Sequence, residues 1–325
     1  MRRTKVGLVG AGSVATRHAG TLARFPDARV VAVADPVPAA AERLAADCGA
    51  AVYPDTAAML DRERLDAVYI CVPPFAHGAP EAAAIERELP FFVEKPLGAN
   101  LQVAERIADR VATAGLVTGT GYHWRCLDIT SRARDLLRDN PARLAIGTWL
   151  DRVPPVPWWV RRDRSGGQVV EQLTHVIDLA RVLLGEVVSV SALAARSGHC
   201  GDDADIDDVT VATVTFASGA LATLAATCLL ERRQDTALRT VSPGLALTVS
   251  EDQLVVEGSG ERQVHLPEDE AKVQVDREFI DAVIGRREQT RAPYIEALRS
   301  HRVACAIAES VRTGQPISVQ QAEGA

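Results

Sequence analysis

Apolar positions in the first 120 residues follow two rhythms. Short unbroken runs at residues 5–9, 29–34, 51–53, 67–72, 90–93 and 116–119 read as buried strands. Between them, residues from a glycine turn at 10–12 to about 25, then 38–47, 56–60, 77–88 and 100–114, carry helical spacing. Strands separated by helices of this length predict a doubly wound, mostly parallel α/β sheet.

The rhythm changes after residue 125. Residues 126–139 predict a helix stopped at Asn140-Pro141. Strand-like runs follow at 144–153, 187–195, 209–216, 220–228, 245–250 and 254–256, two of them joined by Ala217-Ser218-Gly219, a hairpin signal. Clustered strands with short turns predict an α+β domain with a mostly antiparallel sheet. Helices near 271–285 and 294–313 close the chain, and the tail from Gln315 is expected to be loosely tied. The expected domains are therefore 1–121 and 122–325. Val209, Val211, Val214 and Phe216 put apolar groups on both faces of one strand. One face should pack on helices and the other on a second subunit, which predicts a homodimer or homotetramer through this sheet.

One more helix is predicted within that second domain, after Gly166-Gly167. Val169, Leu173, Val176, Ala180 and Leu184 form its apolar stripe. Gln168, Glu171, His175 and Asp178 recur at three, four and three residues and share the opposite face. A solvated face has the same pattern, but neither Glu171 nor His175 has a Lys or Arg at helical pairing distance.

Candidate chemistry sits in the turns. Gly10-Ala11-Gly12-Ser13-Val14-Ala15 follows a strand and opens a helix, and Asp35 ends the next strand twenty residues after Ala15. This is a dinucleotide fingerprint. Gly10 permits the tight turn, and Gly12 lets backbone N–H groups approach a pyrophosphate at the helix N-terminus, beside Ser13 and Val14. An acid at Asp35 suits the ribose hydroxyls of NAD and opposes the 2′-phosphate of NADP, which stays open as the alternative. Pro74, His77, Glu94 and Lys95 fall on loops at the carboxyl edge of the predicted sheet, where such folds bind ligands. His77 serves equally as a helix cap. The proline after Glu94-Lys95 predicts a turn, with a cis Lys95–Pro96 bond admitted by its chemistry.

Composition narrows the partners. At 47% hydrophobic and 24% charged, the 325 residues have ample material for a core. A formal net charge of -7 argues against nucleic acid or an anionic membrane as partner. No run approaches the roughly 18 apolar residues of a membrane span, and the basic start at Met1 is a poor signal peptide. Six scattered cysteines without a Cys-x-x-Cys pair suit reduced thiols, so a cytoplasmic protein with no metal is expected. Asp202, Asp203, Asp205, Asp207 and Asp208 lack the glycine and closing glutamate of a calcium loop and read as a surface turn.

The fingerprint, the Glu-Lys-Pro turn and the Gly-Gly…Glu-x-x-x-His-x-x-Asp helix occur in an order that resembles the Gfo/Idh/MocA oxidoreductases, from Val6 to about Val311. The resemblance implies an N-terminal Rossmann domain, a C-terminal domain that often builds dimers or tetramers, and NAD(P)-dependent dehydrogenation of a sugar or polyol. By the same resemblance Lys95 matches the active-site lysine, His175 the catalytic histidine and Asp178 the acid one helix turn later. Glu171 stands where many members have aspartate, and Gln168 replaces a third glycine. A histidine suits proton exchange near neutral pH. Lys95 would orient the hydroxyl, and Glu171 would bind a substrate hydroxyl or join the relay. All four tryptophans (Trp124, Trp149, Trp158 and Trp159) lie within 36 residues, beside Tyr122, His123 and Arg125. Aromatic faces stack on sugar C–H faces, so Tyr122, Trp124, Arg125 and Trp158 are the candidates for binding a carbohydrate, with core packing the competing role. Arg161, Arg162 and Arg164 would meet an anionic group or line a solvated loop. Two other functions fit the same residues: a redox-neutral enzyme that oxidises its substrate transiently, and a non-catalytic dinucleotide sensor.

Overall fold

The computed structural model describes residues 3–319. They form two compact units. The first takes in the chain through Gly98, Gln102–His123 and Ala271–Leu298; the second takes in Ala99–Leu101, Trp124–Glu270 and the residues from Arg299 onward.

The sheet of the first unit holds β1 (Thr4–Val9), β2 (Ala28–Ala34), β3 (Ala51–Tyr53), β4 (Ala67–Ile70), β5 (Phe91–Val93) and β6 (Thr118–Thr120). All neighbours are parallel, in the order β3-β2-β1-β4-β5-β6. The crossovers are α1 (Ser13–Ala23), α2 (Pro38–Cys48), α3 (Thr56–Arg62), α4 (Ala79–Ile85) and α5 (Leu101–Ala114). Every residue of β4 is fully buried, as an apolar run covered on both faces must be. The order reverses between β1 and β4, which opens the crevice at the carboxyl ends where such sheets take ligands. The helix expected over 77–88 is shorter. A 3₁₀ turn at Pro74–Ala76 comes first, and Gly78, at φ +108°, resets the chain before α4.

The second unit carries α6 (Asp128–Arg138), β7 (Leu144–Leu150), α7 (Arg162–Ser165), α8 (Thr174–Leu184) and the strands β8 (Val187–Ala195), β9 (Val209–Phe216), β10 (Leu221–Thr227), β11 (Asp235–Ser242), β12 (Leu245–Ser250), β13 (Leu254–Glu257), β14 (Gln263–His265) and β15 (Ile317–Ser318). Their order is β14-β13-β12-β11-β7-β10-β9-β8-β15. Every pair is antiparallel except β7 with β10. Sequence reading missed β11, because its apolar residues are few and buried Thr240 and Ser242 take inward positions beside Leu238. The tail is not loose where it is described: Ile317 and Ser318 pair with Val190 and Ser189. Residues 320–325, the rest of that expectation, lie outside the described residues, as do Met1 and Arg2.

Along β7 and β10, Ala145, Trp149, Leu224 and Ala226 point inward, and α8 packs on β7 and β11. The opposite face exposes Leu144, Ile146, Val211 and Leu221, each more than 40% accessible. Helix α9 (Ala271–Val283), expected in the second domain, belongs to the first unit and packs on α1 and β6. Phe279 meets the rings of Tyr69 and Phe92 edge-on. Its amphipathic pattern announced a helix but not which sheet it would cover. Helix α10 (Tyr294–Thr313) closes the chain. Among the described residues no helix is long and apolar enough to cross a membrane.

Candidate active site

In the first unit the glycine turn is built as its spacing required. Gly10 sits at φ +92°, and a Cβ there would lie 2.3 Å from the Cys71 carbonyl oxygen, so only glycine closes the turn against β4. Gly12 caps α1 without any side-chain hydrogen bond to its first turn, and a Cβ there would meet nothing within 4 Å. Gly12, Ser13 and Val14 are exposed while Ala15 is fully buried. Asp35 accepts hydrogen bonds from the backbone N–H of Ala11 (2.7 Å) and of Val37 (2.8 Å), bracing the turn from β2. Each carboxylate oxygen keeps a lone pair for a ribose hydroxyl. Open space at Gly12, backbone N–H groups at a helix start and an acid at the end of β2 fit a bound dinucleotide.

At the end of β4, Pro74 is buried and His77 packs its Nδ1 2.5 Å from Glu81, whose other oxygen accepts from the Gly78 N–H at 2.6 Å. Both side chains are buried, and the His77 Nε2 has no protein partner. At the end of β5 the Lys95–Pro96 peptide is cis. Glu94, expected beside the cofactor, is instead turned inward and 8% exposed. It accepts from Arg17 and from His18 Nε2, each at 2.9 Å, and from the Lys95 N–H at 3.2 Å. Burial pushes its carboxyl up, but the bond and charge of His18, with Arg17 and Lys95, outweigh that and hold it well below the usual carboxylate range. Lys95 alone keeps partial exposure in the otherwise buried run from Phe91 to Gly98.

In the second unit Gly166 and Gly167 both have positive φ, and a Cβ on Gly166 would sit 2.8 Å from the Ala99 carbonyl. The helix that follows is buried on nearly every side, its polar face included. Val169–Leu173 is a π-helical turn that runs into α8, and Gln168, Gln172, Thr174, His175 and Asp178 are all buried. The wider turn shifts the phase of the polar residues relative to a regular helix, and packing then covers them. Gln168 donates to Gln172 (3.0 Å). Glu171 remains half-buried and accepts from Trp159 Nε1 at 2.8 Å.

His175 stacks nearly parallel on two indoles, Trp149 with ring centres 5.6 Å apart and Trp124 at 5.9 Å. Trp124 is 2% exposed and Tyr122 1%, so in this structure both are packing residues rather than open platforms, and of the expected stacking residues Trp158 alone is half-buried. Arg125 is committed as well: its Nε and Nη2 donate to Asp178 at 2.8 and 2.7 Å, and Ser300 donates to the same carboxylate at 2.6 Å. Asp178 thus orients the turn that carries Arg125. Arg162 pairs with Asp207 at 2.8 Å, which ties the arginine loop to the acidic stretch, while Arg161 and Arg164 are exposed as a solvated loop would have them. Of that stretch Asp208 is fully buried and accepts from Ser197.

Sequence reasoning missed Trp149, Trp159 and His18 among the partners of these groups, and Asp276, which lies 2.7 Å from His18 Nδ1. The strand alternation 145, 147, 149 marks Trp149 as inward, and His18 falls on the buried stripe of α1 with Ala15, Ala19 and Leu22. Nothing local marks Asp276.

Comparison with known proteins agrees with this architecture. Residues 4–122 match the profile described as "Oxidoreductase family, NAD-binding Rossmann fold", and residues 141–248 match the GFO/IDH/MocA C-terminal domain. An inositol 2-dehydrogenase of Rhizobium meliloti is 34% identical over 223 residues, 66% of each chain and so just under two thirds of that relative's length. A crystal structure of a putative myo-inositol dehydrogenase from Sinorhizobium meliloti is 26% identical, with TM-score 0.80, over 98% of this chain and 100% of that one. A levoglucosan dehydrogenase in complex with NADH and levoglucosan shares the fold, with TM-score 0.89 at 19% identity over 98% and 100% of the two chains. The two profiles match consecutive parts of the chain, the first spanning β1 to β6, and the chain belongs to the Gfo/Idh/MocA oxidoreductase family, whose N-terminal domain is an NAD-binding Rossmann fold.

Proposed function

We propose that this protein is an NAD-dependent oxidoreductase acting on a secondary alcohol, or the corresponding ketone, of a polyol or sugar. The observation that carries the reading is the glycine turn, with room at Gly12 that no side chain fills and Asp35 fixed beside it. Bound NAD supplies the hydride acceptor; the protein supplies position and a proton path. Lys95, partly exposed on a rigid turn, orients the hydroxyl and stabilises the developing alkoxide with its ammonium. His175 takes the hydroxyl proton. Trp124 and Trp149 pack against its ring and fix its orientation. Glu171, held by Trp159, accepts a substrate hydroxyl. Trp158 stacks on the sugar face. The name of the 34%-identical relative supports an inositol-like ring as the first substrate to try.

The test is a titration with NAD and NADP, followed by an inositol, sugar and anhydrosugar panel read at 340 nm. NAD binding with absorbance change on one class is expected, and Lys95→Ala and His175→Ala should each lower kcat by about 100-fold or more. Binding without any turnover-linked absorbance change would move the reading to transient oxidation or sensing. We also infer that the exposed apolar sheet face, with Leu144, Ile146, Val211 and Leu221, is covered by a second copy of the chain. Light scattering after size exclusion should give a dimer or tetramer, and Ile146→Lys should shift it toward monomer.

A further inference from the structure

Behind the Glu-Lys-Pro turn lies a buried charge cluster with no role in the reading above. His18, on α1 and 0% exposed, points its Nδ1 at Asp276 of α9 (2.7 Å) and its Nε2 at Glu94 (2.9 Å). Asp276 is also 0% exposed. Arg17 reaches the same Glu94 oxygen, and the other Glu94 oxygen accepts the Lys95 N–H. We propose that His18 and Asp276 are positioning residues for Lys95: an imidazolium clamped between two carboxylates fixes Glu94, and Glu94 fixes the backbone from which the Lys95 side chain projects. The proposal rests on the reading in which Lys95 orients the substrate.

The two carboxylates favour this charge state. Ionised, each only accepts, so both ring nitrogens of His18 donate and the ring is a cation, with Arg17 Nη2 also 3.2 Å from Nε2. Arg17, His18, Glu94 and Asp276 then sum to zero, the condition under which buried charges are tolerated. Burial lowers the basicity of His18, but the charge and hydrogen bond of Asp276, and those of Glu94, outweigh it and raise the group above its ordinary value. The ionisable groups around the ring are Arg17 on its own helix, Tyr69 on β4, Cys71 just after it, Glu94 and Lys95 after β5, and Asp276 and Arg277 on α9. Arg17 opposes protonation, and Tyr69 and Cys71 are both held neutral by burial. Space is equally restricted: a Cβ on Gly121 would lie 2.2 Å from the Glu94 carboxylate, so Glu94 has no room to swing away. The same cluster joins the helix that opens at the dinucleotide turn to the lysine turn.

Sequence reasoning places Glu94 beside the cofactor; the structure assigns it the role of a bracket. The experiment compares wild type with His18→Gln, Asp276→Asn and Glu94→Gln. It measures NAD binding, kcat and KM across pH 5.5 to 9.5, and the pH dependence of Lys95 acylation by acetic anhydride, read by mass spectrometry. His18→Gln should bind NAD within about threefold of wild type yet lose about 10- to 100-fold in kcat, with the Lys95 acylation profile displaced. Asp276→Asn weakens the hold on the His18 proton, so its activity should fall at lower pH on the alkaline side than wild type does. On the Glu94→Gln background, His18→Gln should add no further loss. Wild-type kcat, pH profile and Lys95 acylation in both His18→Gln and Asp276→Asn would overturn the proposal. If His18→Gln fails to fold, as far-UV circular dichroism would reveal, the near-isosteric Asp276→Asn profile decides alone. If Lys95→Ala itself keeps full activity, the fault lies in the function assigned to Lys95; the acylation profile still reports whether His18 positions it.

Discussion

Gly12→Ala separates binding from folding. A Cβ at this position meets no atom within 4 Å, and Gly12 has φ -78° and ψ -177°, a conformation any residue adopts. Two small terms act on stability: alanine is a poorer N-cap, by about 0.5–1 kcal/mol, and loss of glycine's freedom in the unfolded chain returns about 0.4–1 kcal/mol. The net should lie within about 0.5 kcal/mol, a shift in Tm of roughly 2 °C or less. The added methyl group instead occupies the space a pyrophosphate needs. Overpacking costs about 1–3 kcal/mol, so NAD affinity should fall by about 5- to 150-fold, given roughly tenfold per 1.4 kcal/mol. Fluorescence titration with NADH gives the affinity, and thermal melts without nucleotide give the stability. Gly10→Ala is the contrasting control. Its Cβ would meet the Cys71 carbonyl at 2.3 Å with φ at +92°, so it should lose stability and binding together. An unchanged NADH affinity in Gly12→Ala would refute the assignment of the turn to the dinucleotide; a large drop in Tm would refute the claim that the space is empty.

Three further outcomes follow from individual contacts. Arg125→Ala strips the bidentate partner from a 1%-exposed Asp178 and should cost about 3–5 kcal/mol in urea melts, whereas Asp178→Asn, which keeps a polar partner, should cost less. Trp159→Phe removes the hydrogen bond to Glu171 while keeping an aromatic ring in its fully buried place. It should raise substrate KM several-fold more than it changes NAD affinity, which parallel titrations would show. Glu94 titrates below its unfolded value of 4.5, so the stability it provides is complete above that pH and is lost as pH falls through the lower, folded value. Urea melts of Glu94→Gln should therefore show a shallower decline below about pH 4.5 than those of wild type, from a lower starting stability.

The contrast between legible and hidden features follows from the range of each interaction. Local spacing determined the parallel sheet, the glycine turn, the turn at Pro96 and most strands of the second sheet. Each of these is dictated by neighbours in sequence: unbroken apolar runs, a residue that must take positive φ, a proline without an N–H. The errors arise where partners are distant. β11 was hidden because its inward positions include Thr240 and Ser242, which only a completed sheet buries. The Gln168–Asp178 face has the pattern of a solvated one, yet a π turn and packing bury most of it, and Arg125, Trp149 and Trp159 are the partners of Asp178, His175 and Glu171. His18 and Asp276 lie 258 residues apart and meet at 2.7 Å. No periodicity encodes that contact, because it depends on α9 returning to cover the first sheet. Sequence alone singled out the candidate groups for the chemistry; the tertiary structure decided which are exposed, which are braced and by what, since burial and charge pairing are properties of assembled elements.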